Sequence, residues 1–229
     1  LYIWCVMSFF SSTWINGASM PQVVLRAGDT PPSPRQYAVL DSTKLSASVS
    51  LPTPTTVKSL SNSFLGAVSN MLLSGKVYFE YTMTSGITND NVMMGVVDTI
   101  LDPSVYQLTV FPTHYAAVGG IWFGGNMNQQ VTGVPQVGDT IAVIVDCDAK
   151  LMWCSLNGVV ASGDPVSGVG GYPIPLSSPY YACICTYYTG EEIEINFGAT
   201  PFVNSPPSGY DGVFQELRTY SDEYSTAYS

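Results

Sequence analysis

The segment 138–158, GDTIAVIVDCDAKLMWCSLNG, constrains the fold more than any other part of the chain. Ile141, Val143 and Val145 alternate with Ala142, Ile144 and Asp146, a β-branched run that favours a strand and closes at the polar turn Asp148-Ala149-Lys150. Leu151 to Leu156 forms a second apolar run without proline. Asn157-Gly158 then supplies the residue pair that most readily reverses a strand, because it tolerates positive φ. Two reversals so close together predict an antiparallel meander.

Composition points the same way. The chain has 229 residues with 21 glycines, 16 prolines and 10% charged residues, and its Val, Ile, Thr and Tyr residues fall between turn signals. That is the make-up of an all-β sandwich, and the length allows one large domain with attachments. The best helical candidate, 57–73, carries Gly66 and several serines and reads better as strand and loop.

Four segments, taken in order, resemble the SPRY domain family. Ser74-Gly75-Lys76-Val77-Tyr78-Phe79-Glu80-Tyr81 is similar to its GK-x-Y-x-E strand, and 91–98, with Gly95-Val96, to the strand that follows. The 138–158 hairpin is similar to the family's central one. Asn196-Phe197-Gly198-Ala199-Thr200-Pro201-Phe202 with Pro206-Pro207-Ser208-Gly209-Tyr210 resembles its closing motif. The likeness covers 37–211 and is nearest in flavour to modules of bacteriophage and bacterial surface proteins. The WEV and LDP signatures of tripartite-motif ligases are not in their usual places; Leu101-Asp102-Pro103 falls too late in the chain. The resemblance implies a SPRY-like bent antiparallel β-sandwich. Lys150 stands where the family usually has glycine, and a left-handed lysine costs roughly 1 kcal/mol, so a different turn type is expected there.

Flanking segments complete the expected organisation: an attachment segment and proline-rich linker at 1–36, the sandwich at 37–211, and an acidic, tyrosine-containing tail at 212–229. The apolar start LYIWCVMSFF is too short to span a bilayer, which needs about twenty residues, and lacks the positive start of a signal peptide. It reads as a strand or an oligomer contact, and a first residue other than Met suggests a piece of a longer chain. The linker GDTPPSP is expected to be stiff and extended. In the tail, Tyr220, Tyr224 and Tyr228 suit docking on another subunit.

Charge and chemistry narrow the function. Seven Lys and Arg against seventeen Asp and Glu give a net charge of −10 with no basic cluster, which disfavours nucleic acid and anionic membranes and leaves solubility or a basic partner. Cys147 and Cys154 flank a turn and could face one another, yet the resemblance, with apolar residues usual at both positions, implies buried thiols acting as small hydrophobes. Cys183 and Cys185 share one strand face. That usage fits a reducing cytoplasm. His114 is the only histidine and sits in an expected loop without a nucleophile motif. Zinc and calcium patterns are absent, Asp146 and Asp148 read as turn-capping residues, and Glu191, Glu192 and Glu194 read as a solvent-facing strand edge rather than glycosidase acids. The chain is therefore expected to be no enzyme, to hold no metal or cofactor, and not to insert in membranes.

What remains is a binding module. The expected contact loops hold Tyr106, Phe111 and His114 in 98–114, Trp122, Asn126 and Asn128 in 122–130, and the turn at Tyr187-Tyr188, with Trp122 and Trp153 also candidates for the core. The primary expectation is a structural or adhesive protein of a bacteriophage virion, assembled in the host cytoplasm. Its partners would be other virion proteins, copies of itself, or a host glycan or protein. An intracellular adaptor that grips a protein partner, or a glycan-binding module of a cell-surface protein, is the alternative.

Overall fold

The computed structural model describes residues 34–63, 65–85, 92–98, 113–116, 120–123, 126–130, 135–175 and 179–217, with 65, 98, 113–116, 120–123 and 126–130 described by their backbone alone. All of them belong to one unit, Pro34–Ser229. The apolar segment 1–10, the linker up to Ser33, the residues Tyr106 and Phe111, and the tail tyrosines Tyr220, Tyr224 and Tyr228 lie outside the described residues.

Among the described residues the structure is an antiparallel β-sandwich without helices. Its seventeen strands run β1 (Arg35–Tyr37), β2 (Leu40–Leu45), β3 (Val49–Thr53), β4 (Thr56–Ser59), β5 (Leu65–Leu73), β6 (Lys76–Ser85), β7 (Met93–Asp98), β8 (Thr113–Ala116), β9 (Gly120–Phe123), β10 (Asn126–Gln130), β11 (Thr140–Asp146), β12 (Leu151–Leu156), β13 (Val159–Val160), β14 (Tyr172–Pro173), β15 (Tyr180–Thr186), β16 (Glu192–Asn196) and β17 (Phe214–Glu216). One sheet has the order β10-β9-β8-β7-β15-β5-β2. The other has the order β13-β12-β11-β6-β16-β4-β3, with β14 beside β12.

The expected meander is present as β6-β11-β12-β13. Ile141 faces Tyr81 on one side and Leu156 on the other. Asn157 and Gly158 turn with φ of 49° and 81°, and the Asn157 side chain ties the turn down by accepting the Thr140 N–H at 2.9 Å and donating to Asp139 Oδ1 at 2.8 Å.

The other turn corrects an expectation. Lys150 does adopt the left-handed conformation, with φ 57°. Local bonds hold it there: Asp146 Oδ1 accepts the Ala149 N–H at 2.9 Å, and the Lys150 carbonyl accepts the Ile174 N–H at 2.8 Å. The cysteine geometry is corrected too. Cys154 pairs with Val143, whereas Cys147 lies beyond the Asp146–Leu151 pair, so the two do not face one another. Cys147, Cys154, Cys183 and Cys185 are all free thiols.

The period-two pattern sorts side chains into two layers. Phe79, Tyr81, Val143, Met152, Ile184, Ile195 and Phe197 are buried between the sheets, and the Tyr81 hydroxyl crosses from one sheet to the other to donate to the Cys183 carbonyl at 2.8 Å. On the outer face of the second sheet Tyr78, Ala142, Ile144, Trp153 and Tyr210 form a smaller core. Loops seal it, since the Trp153 indole donates to the Val169 carbonyl and the Tyr210 hydroxyl to the Pro165 carbonyl, each at 3.1 Å. The strands β7 and β15 are buried on both faces, Met93, Val97, Cys183 and Cys185 included, which is why they read as continuous apolar runs.

Beside the two large sheets lies a separate two-stranded one. β1 pairs with β17, Val213 is in the main core, and the Arg35 guanidinium lies 3.8 Å from the Phe214 ring centroid and 3.0 Å from Asp211 Oδ2.

Candidate binding surface

The reversal between β15 and β16 holds the best-defined set of polar and aromatic groups outside the core. Glu191 is 0% exposed. Its Oε2 accepts the backbone N–H of Tyr187 at 2.7 Å and that of Tyr188 at 2.9 Å, as a capping carboxylate satisfies amides at a helix start. Its own N–H donates to the Tyr188 carbonyl at 3.1 Å, and its carbonyl accepts the Ser59 N–H at 3.0 Å.

A second loop locks on from the side. Ser63 N–H donates to the Tyr187 carbonyl at 2.9 Å, and Asn62 Oδ1 accepts both the N–H and the hydroxyl of Thr189, each at 2.9 Å. The Tyr187 and Tyr188 rings, both half-buried, meet edge-to-face with centroids 4.9 Å apart and planes at 84°.

This position corrects the expectation of a solvent-facing Glu191. β16 begins one residue later, so Glu191 belongs to the turn and folds under it, while Glu192 pairs with Lys58 at 3.1 Å and Glu194 is exposed. Glu191 Oε1 is buried without a hydrogen-bond partner. Burial pushes the carboxyl above its ordinary range, and the two tyrosine amides pull against that shift.

The remaining nominated residues lie elsewhere. His114 is on a strand, not in a loop, opposite Gly95 on β7 and Trp122 on β9. Asn126 pairs with Phe123, and Asn128 falls at the β10 register shift between Met127 and Gln129. The stretch 122–130 is thus mainly the β9–β10 hairpin rather than a broad loop. Polar residues such as Asn and Gln suit a strand at the margin of a sheet as well as a loop, which is why the sequence misled.

Register also divides the set. β15 runs from Tyr180, opposite Asp98, to Cys185, opposite Met93. Thr113, Phe123 and Asn126 therefore lie toward the Tyr180 end, and Ala116, Gly120 and Gln130 toward the Thr186 end. His114 and Trp122 are brought together level with Cys183 at the middle of β15, Asn126 lies toward the first end, and Tyr187 and Tyr188 follow the other. At about 3.3 Å per residue the length of β15 separates the ends by roughly 20 Å.

Sequence reasoning missed Glu191 and Asn62 as the residues that shape the turn. The one available signal was an acid directly after the Thr189-Gly190 turn pair, at the head of an alternating strand. Glu80 was seen only as part of a motif. It is 1% exposed and accepts the Tyr78 hydroxyl at 2.7 Å and the N–H groups of Val203 and Asn204 at 2.8 Å each.

Among the described residues no three His, Cys, Asp or Glu side chains gather as a metal site. Burial raises the Cys147 thiol to about 12 and pushes Cys154 and Cys183 up as well, so these thiols stay protonated and weakly nucleophilic. No helix among the described residues is long and apolar enough to cross a membrane.

Solved structures share this architecture. The chain is similar to the SPRY domain of human HERC1 (16% identity, 71% of this chain and 99% of that one, TM-score 0.57), to a human SPRY domain (18%, 68% and 98%, 0.51) and to the TRIM65 PSpry domain (13%, 70% and 92%, 0.51). The fold is therefore SPRY-like. No family model and no curated protein sequence matches the chain.

Proposed function

We propose that the chain is a non-catalytic module that binds a segment of a protein partner at the end of the sandwich carrying Tyr187 and Tyr188. The observation behind this is the pair of hydrogen bonds that Glu191 Oε2 accepts from the two tyrosine amides, which fixes the turn before any partner arrives. Tyrosines give large contact area with few rotors to freeze, and a turn already ordered loses little more on binding. SPRY domains act as protein-interaction modules, which supports a protein partner ahead of a glycan. A finer proposal rests on sequence alone: the likeness to bacteriophage-type modules and the apolar 1–10 segment suit a virion attachment or decoration protein, oligomeric on the particle and assembled in the host cytoplasm.

The test is to pan a random displayed-peptide library against the full chain, then repeat with the Tyr187→Ala/Tyr188→Ala double variant. A convergent peptide family bound at least tenfold more weakly by the double variant, with its melting temperature little changed, supports the reading. No enrichment, or equal binding by the variant, overturns it.

A further inference from the structure

We propose that a groove beside the C-terminal half of β16, separate from the Tyr187-Tyr188 turn, receives a lysine or arginine side chain of a protein partner. The groove has a volume of about 270 Å³, and Tyr37, Ala38, Glu194, Ile195, Phe197 and Thr200 are among the residues that line it. Small-molecule pockets usually run about 300–1,000 Å³. This one matches a single long side chain better than a cofactor.

Its chemistry selects the charge. Tyr37 and Val39 are half-buried and Ala199 is exposed, so the lining includes apolar surface along which a methylene stem can lie. Glu194 is exposed and has no ion pair among the described residues, because Thr56 and Thr82 occupy the strand positions on either side of it. The neighbouring cation, Lys58, is already bound to Glu192 at 3.1 Å. No Lys, Arg or His lines the groove, so an anionic ligand would meet only the Glu194 carboxylate. The net charge of −10 attracts a basic partner over a longer range.

The rim is already built. Asn196 Nδ2 donates to the carbonyls of Thr200 and Pro201, each at 3.2 Å, and its Oδ1 accepts the Gly198 N–H at 2.8 Å, which fixes the bend that carries Ala199 and Thr200. Val39 is held from the other side, its N–H donating to Asn70 Oδ1 at 2.9 Å. A side chain entering here meets walls that need not reorganise.

The test is an amide-resolved NMR titration of the full chain with Nα-acetyl-lysine-N-methylamide, its arginine counterpart and the neutral norleucine counterpart. The cationic probes should shift the amides of Ala38, Val39, Ala199 and Thr200. Norleucine should bind about three- to fivefold more weakly, and Glu194→Gln should reduce lysine binding by the same factor, the modest size expected of an exposed ion pair. Absent shifts at these amides, equal binding of norleucine, or an unchanged Glu194→Gln variant overturns the proposal. Peptide panning reports separately on the broader reading: enriched peptides with an empty groove remove only the groove, whereas an occupied groove with no enriched peptide removes only the Tyr187-Tyr188 surface.

Discussion

Tyr78 donates its phenolic hydrogen to Oε1 of Glu80, two residues along the same strand, at 2.7 Å. The same carboxylate accepts the N–H groups of Val203 and Asn204, so a polar pair on β6 anchors the loop that closes the outer core. Tyr78 also meets the Phe202 ring edge-on at 4.8 Å. The Tyr-x-Glu spacing puts both side chains on one face, and burial turns that spacing into a clamp.

Glu80→Ala leaves the buried Tyr78 hydroxyl and the part-buried N–H groups of Val203 and Asn204 without their acceptor and is expected to cost about 2–3 kcal/mol. Tyr78→Phe removes one bond to a buried carboxylate and is expected to cost about 1.5–3 kcal/mol. Urea denaturation measures both. The double variant should be less destabilised than the sum, because the two side chains share one bond.

Glu191 makes stability depend on pH. Its folded carboxyl lies above the ordinary value of 4.5, so the folded state binds the proton more tightly than the unfolded one. The contribution is therefore complete below about pH 4.5 and declines as pH rises through the raised folded value. Glu191→Gln should flatten that part of a stability-against-pH curve. Glu191→Ala, which leaves two amides unsatisfied, should cost about 2–4 kcal/mol and speed hydrogen exchange at Tyr187 and Tyr188.

Lys150 holds φ 57° without the freedom of glycine. Lys150→Gly should raise stability by about 0.5 kcal/mol, since relief of the left-handed strain is partly offset by the added freedom of the unfolded chain. The midpoint of denaturation reads the change directly.

Gly171 lies against the Trp153 indole. A Cβ there would come within 2.5 Å of Trp153 Cζ2 and 3.0 Å of Leu151 Cβ. Gly171→Ala should cost about 1–3 kcal/mol through overpacking, with a changed tryptophan emission spectrum as the local sign.

Much of the fold was legible because its signals are local. The alternation of 141–146 and the Asn157-Gly158 pair specify a hairpin whatever else the chain does, and the Tyr78-x-Glu80 spacing identifies one sheet face. The β1–β17 pairing was not legible, because three-residue strands so far apart in sequence leave no periodic trace. The candidate surface was half visible. Tyr187 and Tyr188 stood out as aromatics at a turn, but the role of Glu191 depends on β16 starting at Glu192, a one-residue boundary that alternation alone does not fix. His114 and Trp122 were nominated for separate loops, and only strand register makes them neighbours.

The most direct test of the account is amide hydrogen exchange of the full chain with and without a peptide enriched against it. Increased protection concentrated at 59–63 and 187–191 is the predicted result. Protection confined to β8 and β9 around His114 and Trp122, or no change at the turn, would contradict it.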